Sequence, residues 1–189
     1  TGIYHSMKAV EGRVFVPNLV FLPMMPSNFS SALLQKILNR AKDEKMGMIF
    51  YVWDRQGGLG NEEDIHIWLP NLKRKSNDLD SDLAILLGYK LYHNWAGKIT
   101  LHACASKAKE KSVKANINKL IYDSRLPATT IVEIHNDTFL GALSKAPNFD
   151  VHIVPITSRA DTKYLKTLSL MKEKALLITV DSSIESAFA

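Results

Sequence analysis

The chain has 189 residues, of which 46% are hydrophobic and 23% charged, and this composition excludes a disordered or fibrous protein. Its single cysteine, Cys104, excludes an internal disulfide framework and favours a reducing compartment. The net charge is +5, and the sequence has no apolar run of the roughly 20 residues that cross a bilayer.

Strands and helices alternate along the first third of the chain. Residues 13–22 are apolar and β-branched enough for a strand, with Pro17 at its start or edge. A helix with an apolar stripe follows to about residue 45. Residues 46–53 are nearly all apolar, which is typical of a central parallel strand covered on both faces. Residues 65–69 predict a further short strand.

Residues 81–104 predict a buried helix that leads directly into a strand. Gly97 lies between them and is expected to take the left-handed angles of a tight turn. In the strand, residues 98–104, alternate side chains are expected to face opposite sides of the sheet. The helix stripe expected to face the core consists of Leu83, Leu86, Leu87 and Leu91.

The rest of the chain repeats this plan. Predicted strands at 129–134, 150–156 and 175–180 alternate with predicted helices at 107–124, 139–145 and 161–173. In helix 107–124 the residues expected to point inward are Val113, Ile117, Leu120 and Ile121. The order predicts an α/β fold, a mostly parallel layered sheet with helices on both faces. We expect residues 1–12 to be an extension or linker and residues 13–189 to be one domain.

The positive charge is concentrated between residues 98 and 125, which contain seven basic and two acidic residues. Such a run is typical of a solvated helix face, but an anionic membrane surface or nucleic acid is an alternative partner. No aromatic residue alternates with these lysines, so we predict no nucleic-acid binding. The residues predicted to contact anionic lipid are Lys107, Lys111 and Lys114.

One loop is a weak candidate for phosphate or nucleotide binding. Gly57, Gly58 and Gly60 follow a predicted strand, where glycine backbone can cradle a phosphate group. Their spacing matches neither G-x-G-x-x-G nor the P-loop. Three carboxylates at residues 62–64 follow at once and would repel a polyanion. The loop therefore predicts no bound cofactor by itself.

The histidines do not show the spacing of a metal site. Three of the six lie in predicted strands, and each stands alone among apolar or threonine neighbours in sequence. His102 and Cys104 share one strand face, which supplies at most two ligands. We therefore predict buried core histidines and no metal. The sequence also lacks a nucleophile elbow and a separated carboxylate pair, which predicts that the chain is not an enzyme.

Five stretches carry a further signal, in this order: residues 47–53 with 58–60 and 65–68; residues 82–91 with Asn94 and Trp95; residues 124–128; residues 143–156; and residues 181–187. Together they resemble blocks of the soluble C-terminal part of cation–chloride cotransporters. The nearest resemblance is to prokaryotic relatives within the amino acid–polyamine–organocation superfamily. Ser183 and Ile184 depart from the family's terminal pattern, which has Gly and Glu there.

The resemblance implies a cytosolic regulatory and dimerisation domain on the cytoplasmic side of the cell membrane. It implies a transmembrane part of the same polypeptide that carries Na⁺, K⁺ and Cl⁻ together. In that family the domain has two halves that each resemble a universal stress protein, and this chain is expected to be the second half. The alternative is a nucleotide-binding sensor of the universal-stress-protein type. Because the chain does not begin with Met, we expect it to be a piece of a longer polypeptide.

Overall fold

The computed structural model describes residues 18–24, 30–52, 62–69, 81–147, 151–156, 162–171 and 174–181. Within these residues the chain forms seven strands and five helices. The strands are β1 (Leu19–Pro23), β2 (Gly47–Val52), β3 (Asp64–Leu69), β4 (Lys98–Cys104), β5 (Ile131–His135), β6 (Val151–Ile156) and β7 (Ala175–Val180). The helices are α1 (Ser31–Asp43), α2 (Asp82–Trp95), α3 (Glu110–Asp123), α4 (Phe139–Lys145) and α5 (Thr162–Ser169). No helix of this described part is long and apolar enough to span a bilayer.

The seven strands form one sheet in the order β1-β2-β7-β6-β3-β4-β5. Five of the six strand pairings are parallel, and only β2 and β7 pair antiparallel. The strands β1 and β2 therefore run opposite to the other five. The predicted fold class, a mostly parallel α/β sheet, is confirmed.

Helices cover both faces of the sheet, and each face has its own apolar core. On one face, here called the α1 face, helices α1, α4 and α5 pack against the sheet and bury residues such as Leu34, Leu143 and Leu165. On the other, here called the α2 face, helices α2 and α3 bury Ile85 and Ile117. The central strands β6 and β7 are buried along their whole length, because side chains of either orientation meet a helix layer.

Helix α2 faces the sheet with a different stripe from the predicted one. Its buried residues are Asp82, Ala84, Ile85 and Gly88. Leu86 is 40% exposed, and the other three leucines of the predicted stripe are only half-buried. The reason is close packing: a Cβ at Gly88 would lie 2.4 Å from Cδ1 of the buried Ile67. The small residues therefore contact β3, and the leucines flank that contact.

The turn after α2 also differs from the prediction. Ala96, rather than Gly97, has the left-handed backbone, with a φ of 53°. Gly97 is required for another reason, since a Cβ there would lie 2.2 Å from the backbone oxygen of Glu63. That oxygen accepts a hydrogen bond of 2.7 Å from the backbone N–H of Lys98, which starts β4 beside β3.

Helix α3 is shorter and less buried than predicted. It begins at Glu110 because residues 107–109 form a turn, closed by a hydrogen bond from the N–H of Lys109 to the carbonyl of Ser106. Of the four residues expected to point inward, only Ile117 is fully buried. The other three are half-buried against the α2-face core. The predicted basic residues Lys107, Lys111 and Lys114 are exposed.

Candidate functional site

Four histidines line up across the α1 face of the sheet. The register places His152 of β6 beside His66 of β3, and His102 of β4 beside Trp68. Two residues of β5 continue the line, since Glu133 lies beside His102 and His135 beside Cys104. Because alternate residues of a strand share a face, all these side chains lie on one side. We call His152, His66, His102 and His135 the histidine row.

Short contacts between ring nitrogens connect three members of the histidine row. His66 Nδ1 lies 2.8 Å from His102 Nε2, and His102 Nδ1 lies 2.9 Å from His135 Nε2. Each contact fits a hydrogen bond in which one ring donates and the next accepts, as neutral imidazoles allow. Histidines that are isolated from one another in sequence therefore contact each other in the sheet. Residues 33 and 36 positions apart in sequence meet in the sheet.

The fourth member, His152, is held from both sides of its ring. Its Nδ1 accepts a hydrogen bond of 3.1 Å from Trp68 Nε1, so the proton of the neutral ring lies on Nε2. That Nε2–H donates to the carbonyl oxygen of Pro147 at 2.8 Å. The ring also stacks on His66, with centroids 4.9 Å apart.

Burial keeps the inner histidines uncharged. His102 is 2% exposed and His152 is fully buried. Burial, followed by the neighbouring His66 and His135, lowers the pKa of His102 to about 3. Burial is also the main cause that lowers the pKa of His152 to about 3, although the hydrogen bond to Pro147 acts in the opposite direction. Both rings are neutral at physiological pH.

Trp68 forms an aromatic platform beneath the row. Its indole stacks on His102, with centroids 4.3 Å apart and planes 15° apart, and on His135 at 5.5 Å and 21°. Phe139, the first residue of α4, contacts the same indole edge-on at 5.7 Å. The two imidazoles are therefore held in position by packing as well as by hydrogen bonds.

The row ends at the surface beside a carboxylate. Glu133 Oε2 lies 3.4 Å from His102 Nδ1 and 3.9 Å from His135 Nε2. The His102 side chain is 3% exposed, that of His135 29% and that of Glu133 52%. Buried and exposed donor atoms thus meet at one point of the β5 edge. In the described part of the chain these three residues form a group whose ligand atoms lie within 4.8 Å of one another.

The sequence contained a signal for this cluster. His66 and Trp68 alternate in β3, Thr100, His102 and Cys104 alternate in β4, and Glu133 and His135 alternate in β5. Once these strands are adjacent and parallel, every one of these side chains lies on the same face. The sequence pattern does not show which strands are neighbours, and this order was needed to predict the cluster. The other candidate, the loop of Gly57, Gly58 and Gly60, lies outside the described residues.

The sheet and its two helix layers define an α/β domain. Profiles of known families assign it further. Residues 60–188 match the family described as prokaryotic cation-chloride cotransporter, C-terminal domain, 2nd, and residues 1–59 match the corresponding 1st domain. The chain belongs to the family of prokaryotic cation-chloride cotransporter C-terminal domains, which confirms the resemblance found in the sequence.

A solved structure has the same fold. The chain is similar to the crystal structure of the cytoplasmic domain of a prokaryotic cation chloride cotransporter, with a TM-score of 0.83 and 23% sequence identity. The match covers 98% of this chain and 72% of that one. A comparison with curated proteins found no match.

The boundary between the two family profiles falls inside the sheet. Strands β1 and β2 belong to the first profile, and β3 to β7 belong to the second. The single antiparallel pairing, between β2 and β7, joins the two parts. The two profile regions therefore share one sheet and, on the α1 face, one core.

Proposed function

We propose that this chain is a cytosolic, non-enzymatic domain of a membrane transporter, and that it regulates the transporter through self-association. The observation that carries the proposal is the family match over residues 60–188. The transporter moves cations together with chloride through a transmembrane part of the same polypeptide. The domain lies on the cytoplasmic side of the membrane and brings two transport units together.

The β1 edge of the sheet supports self-association. Among the described residues, β1 pairs with a strand on one side only, so its other side presents unpaired backbone groups. Phe21 is 54% exposed and Leu19 is 40% exposed. The Phe21 ring lies 6.0 Å from the half-buried ring of Tyr51, and a Cβ at Gly47 would contact both Leu19 and Leu83. Together these side chains form a surface patch that suits a second copy of the chain. The patch consists of Leu19, Phe21, Tyr51 and Leu83.

The opposite edge is less suited to an apolar contact. Strand β5 exposes Ile131, but it also exposes Glu133 and part of His135. Burying a carboxylate between two copies costs free energy unless it is paired. We therefore assign the self-contact to β1.

Sedimentation velocity on the chain tests the assignment. We expect a concentration-dependent dimer, and we expect Phe21→Lys to shift the protein towards monomer because it places a charge in the contact. The control is Tyr122→Lys, which changes an 84% exposed aromatic residue on α3. A monomer up to about 100 μM, equivalent to less than roughly 5.5 kcal/mol of association, would contradict self-association by this chain.

Regulation requires a second measurement on the complete transporter. In reconstituted vesicles, Phe21→Lys is expected to change the rate of coupled ion flux. The control Leu170→Lys, at a 62% exposed leucine after α5, is expected to leave the flux unchanged. An unchanged flux in a Phe21→Lys transporter that has become monomeric would separate self-association from regulation and would reject the regulatory part of the proposal.

The basic surface of α3 supports a further contact with the membrane. Lys111 and Lys114 of α3 are exposed, as is Lys107 in the turn before it, and the helix buries only Ile117. A domain held beneath a bilayer can place such a face against anionic lipid headgroups. We propose that anionic lipid is a secondary partner of the domain.

A further inference from the structure

We propose that His102, Glu133 and His135 bind one divalent transition-metal ion, and that Zn²⁺ is the ion that their ligand atoms fit best. The proposal is independent of the transport assignment. Two imidazole nitrogens and one carboxylate oxygen form a donor set that zinc uses in proteins when a fourth position is left open. Hard ions such as Mg²⁺ and Ca²⁺ prefer oxygen ligands throughout, so this set selects against them.

The spacing of the three donor atoms fits a single ion. The separations are 2.9 Å between His102 Nδ1 and His135 Nε2, 3.4 Å between His102 Nδ1 and Glu133 Oε2, and 3.9 Å between His135 Nε2 and Glu133 Oε2. A point about 2 Å from all three atoms exists, which is the usual length of zinc bonds to nitrogen and oxygen. The ion would replace the hydrogen bond between the two rings.

The sheet holds the donors at this spacing. His102 and Glu133 are direct partners in the parallel pairing of β4 and β5. His135 follows Glu133 by two residues, so it lies on the same face of the same strand. Trp68 stacks on both imidazoles. Little rearrangement is therefore needed for binding.

The His66 ring, next to the proposed site, contacts the ligand His102 on the side away from the ion. His102 Nε2 lies 2.8 Å from His66 Nδ1. When His102 Nδ1 binds an ion, its Nε2 carries the proton and donates to His66 Nδ1. A second nitrogen held in this way orients a histidine ligand and fixes its tautomer.

The site is open on one side. The Glu133 side chain is 52% exposed and that of His135 is 29% exposed, whereas His102 forms the buried floor. An ion can enter from the β5 edge and keep a water molecule or an external ligand in its fourth position.

Calorimetric titration of the chelator-stripped chain with ZnCl₂ tests the proposal. We expect one Zn²⁺ per chain, and at least about tenfold weaker binding for both Glu133→Gln and His135→Gln, since each removes one ligand. Glu133 is exposed and His135 is half-buried at the sheet edge, so these variants should fold, which far-UV circular dichroism verifies. The matched control is His93→Gln, which changes an exposed histidine on α2 and should not alter the affinity.

CoCl₂ supplies a spectroscopic signature of the same site. We expect the visible absorption of a nitrogen- and oxygen-bound Co²⁺ ion in the unsubstituted chain and in His93→Gln, but not in His135→Gln. The proposal is overturned if Zn²⁺ binds more weakly than about 100 μM. It is equally overturned if Glu133→Gln and His135→Gln bind Zn²⁺ as tightly as His93→Gln does.

Discussion

Ala96 and Gly97, at the end of α2, show how two adjacent residues meet different backbone demands. Ala96 has a φ of 53°, an arrangement that costs an L-residue roughly 1–2 kcal/mol and costs glycine almost nothing. The backbone of Gly97 is not left-handed. Its site leaves no room for a Cβ, because the carbonyl oxygen of Glu63 lies where the methyl group would be.

Opposite substitutions at these two positions should therefore have opposite effects. We expect Ala96→Gly to raise the free energy of unfolding by about 0.5–1 kcal/mol, because relief of the left-handed strain exceeds the entropic cost of glycine. We expect Gly97→Ala to lower it by about 1–3 kcal/mol, since backbone must move. Urea unfolding measures both values. If Gly97→Ala were as stable as the unsubstituted chain, the contact with Glu63 would not constrain this turn.

His152 makes the stability of the domain depend on pH. Its pKa is about 3 in the folded protein, against about 6.5 in an unfolded chain. Between these values the unfolded state binds a proton that the folded state does not, so stability falls as the pH falls. The slope is about 1.4 kcal/mol per pH unit for one such histidine. The groups that face this ring are His66 and Lys174, and both disfavour its positive charge.

We expect His152→Gln to reduce this slope between pH 6 and pH 4, because glutamine does not titrate. The variant should be less stable than the unsubstituted chain at pH 7, where the amide replaces a fitted ring. Urea unfolding at several pH values gives the slope directly. His93→Gln serves as the control and should keep the original slope. A slope that is the same in both variants would show that His152 does not cause the loss of stability in acid.

At the scale of elements, α3 combines shallow packing with a charged outer surface. It buries one residue fully, while its lysines extend into solvent. Each lysine near an anionic bilayer contributes roughly 1 kcal/mol of attraction, and salt screens this attraction. Three lysines together would contribute about 3 kcal/mol, roughly a hundredfold increase in partitioning onto an anionic bilayer at low ionic strength.

We therefore expect the chain to float with phosphatidylserine vesicles at low salt and to remain unbound with neutral vesicles. Lys111→Glu combined with Lys114→Glu should abolish flotation. The control carries the same change of net charge on α1, Lys36→Glu with Lys42→Glu, at two other exposed lysines. Equal recovery with neutral and anionic vesicles, or equal loss in both double variants, would exclude a membrane contact through α3.

At the scale of the whole molecule, the sheet extends across the boundary between the two family profiles. Met48, Phe50 and Val52 of β2 are at most 3% exposed, and they pack in the same core as Leu176, Ile178 and Val180 of β7. Helix α1 covers this region with four buried residues. The segments on either side of residue 60 therefore depend on each other for burial.

We expect the chain from β1 to β7 to unfold as one unit. A fragment of residues 60–189 would lose α1 and β2 and expose the apolar side chains of β7, so it should lack a cooperative thermal transition. Deletion of residues 1–12 alone, which we predict to be an extension, should preserve that transition. Circular dichroism during heating distinguishes the two fragments. A cooperative transition in fragment 60–189 within a few degrees of the full chain would show that the second region folds alone.

Local patterns in the sequence were sufficient to predict most of the elements. Apolar runs and alternation located the strands, and the basic residues of α3 were correctly expected to face solvent, because such patterns depend on neighbours along the chain. The inner face of α2 was wrong, because the contact that selects it comes from Ile67 on β3. Periodicity favoured the bulky leucines, whereas the close approach of a strand required the small residues.

The histidine row was decided by tertiary structure alone. The residues His66, His102, His135 and His152 come from four strands, and nothing within one strand states which strand will be its neighbour. Strand order and register, set by the packing of both helix layers, brought the rings together. The sequence by itself determined that these side chains alternate with apolar ones; the sheet determined that they meet, because pairing between distant strands depends on the whole core.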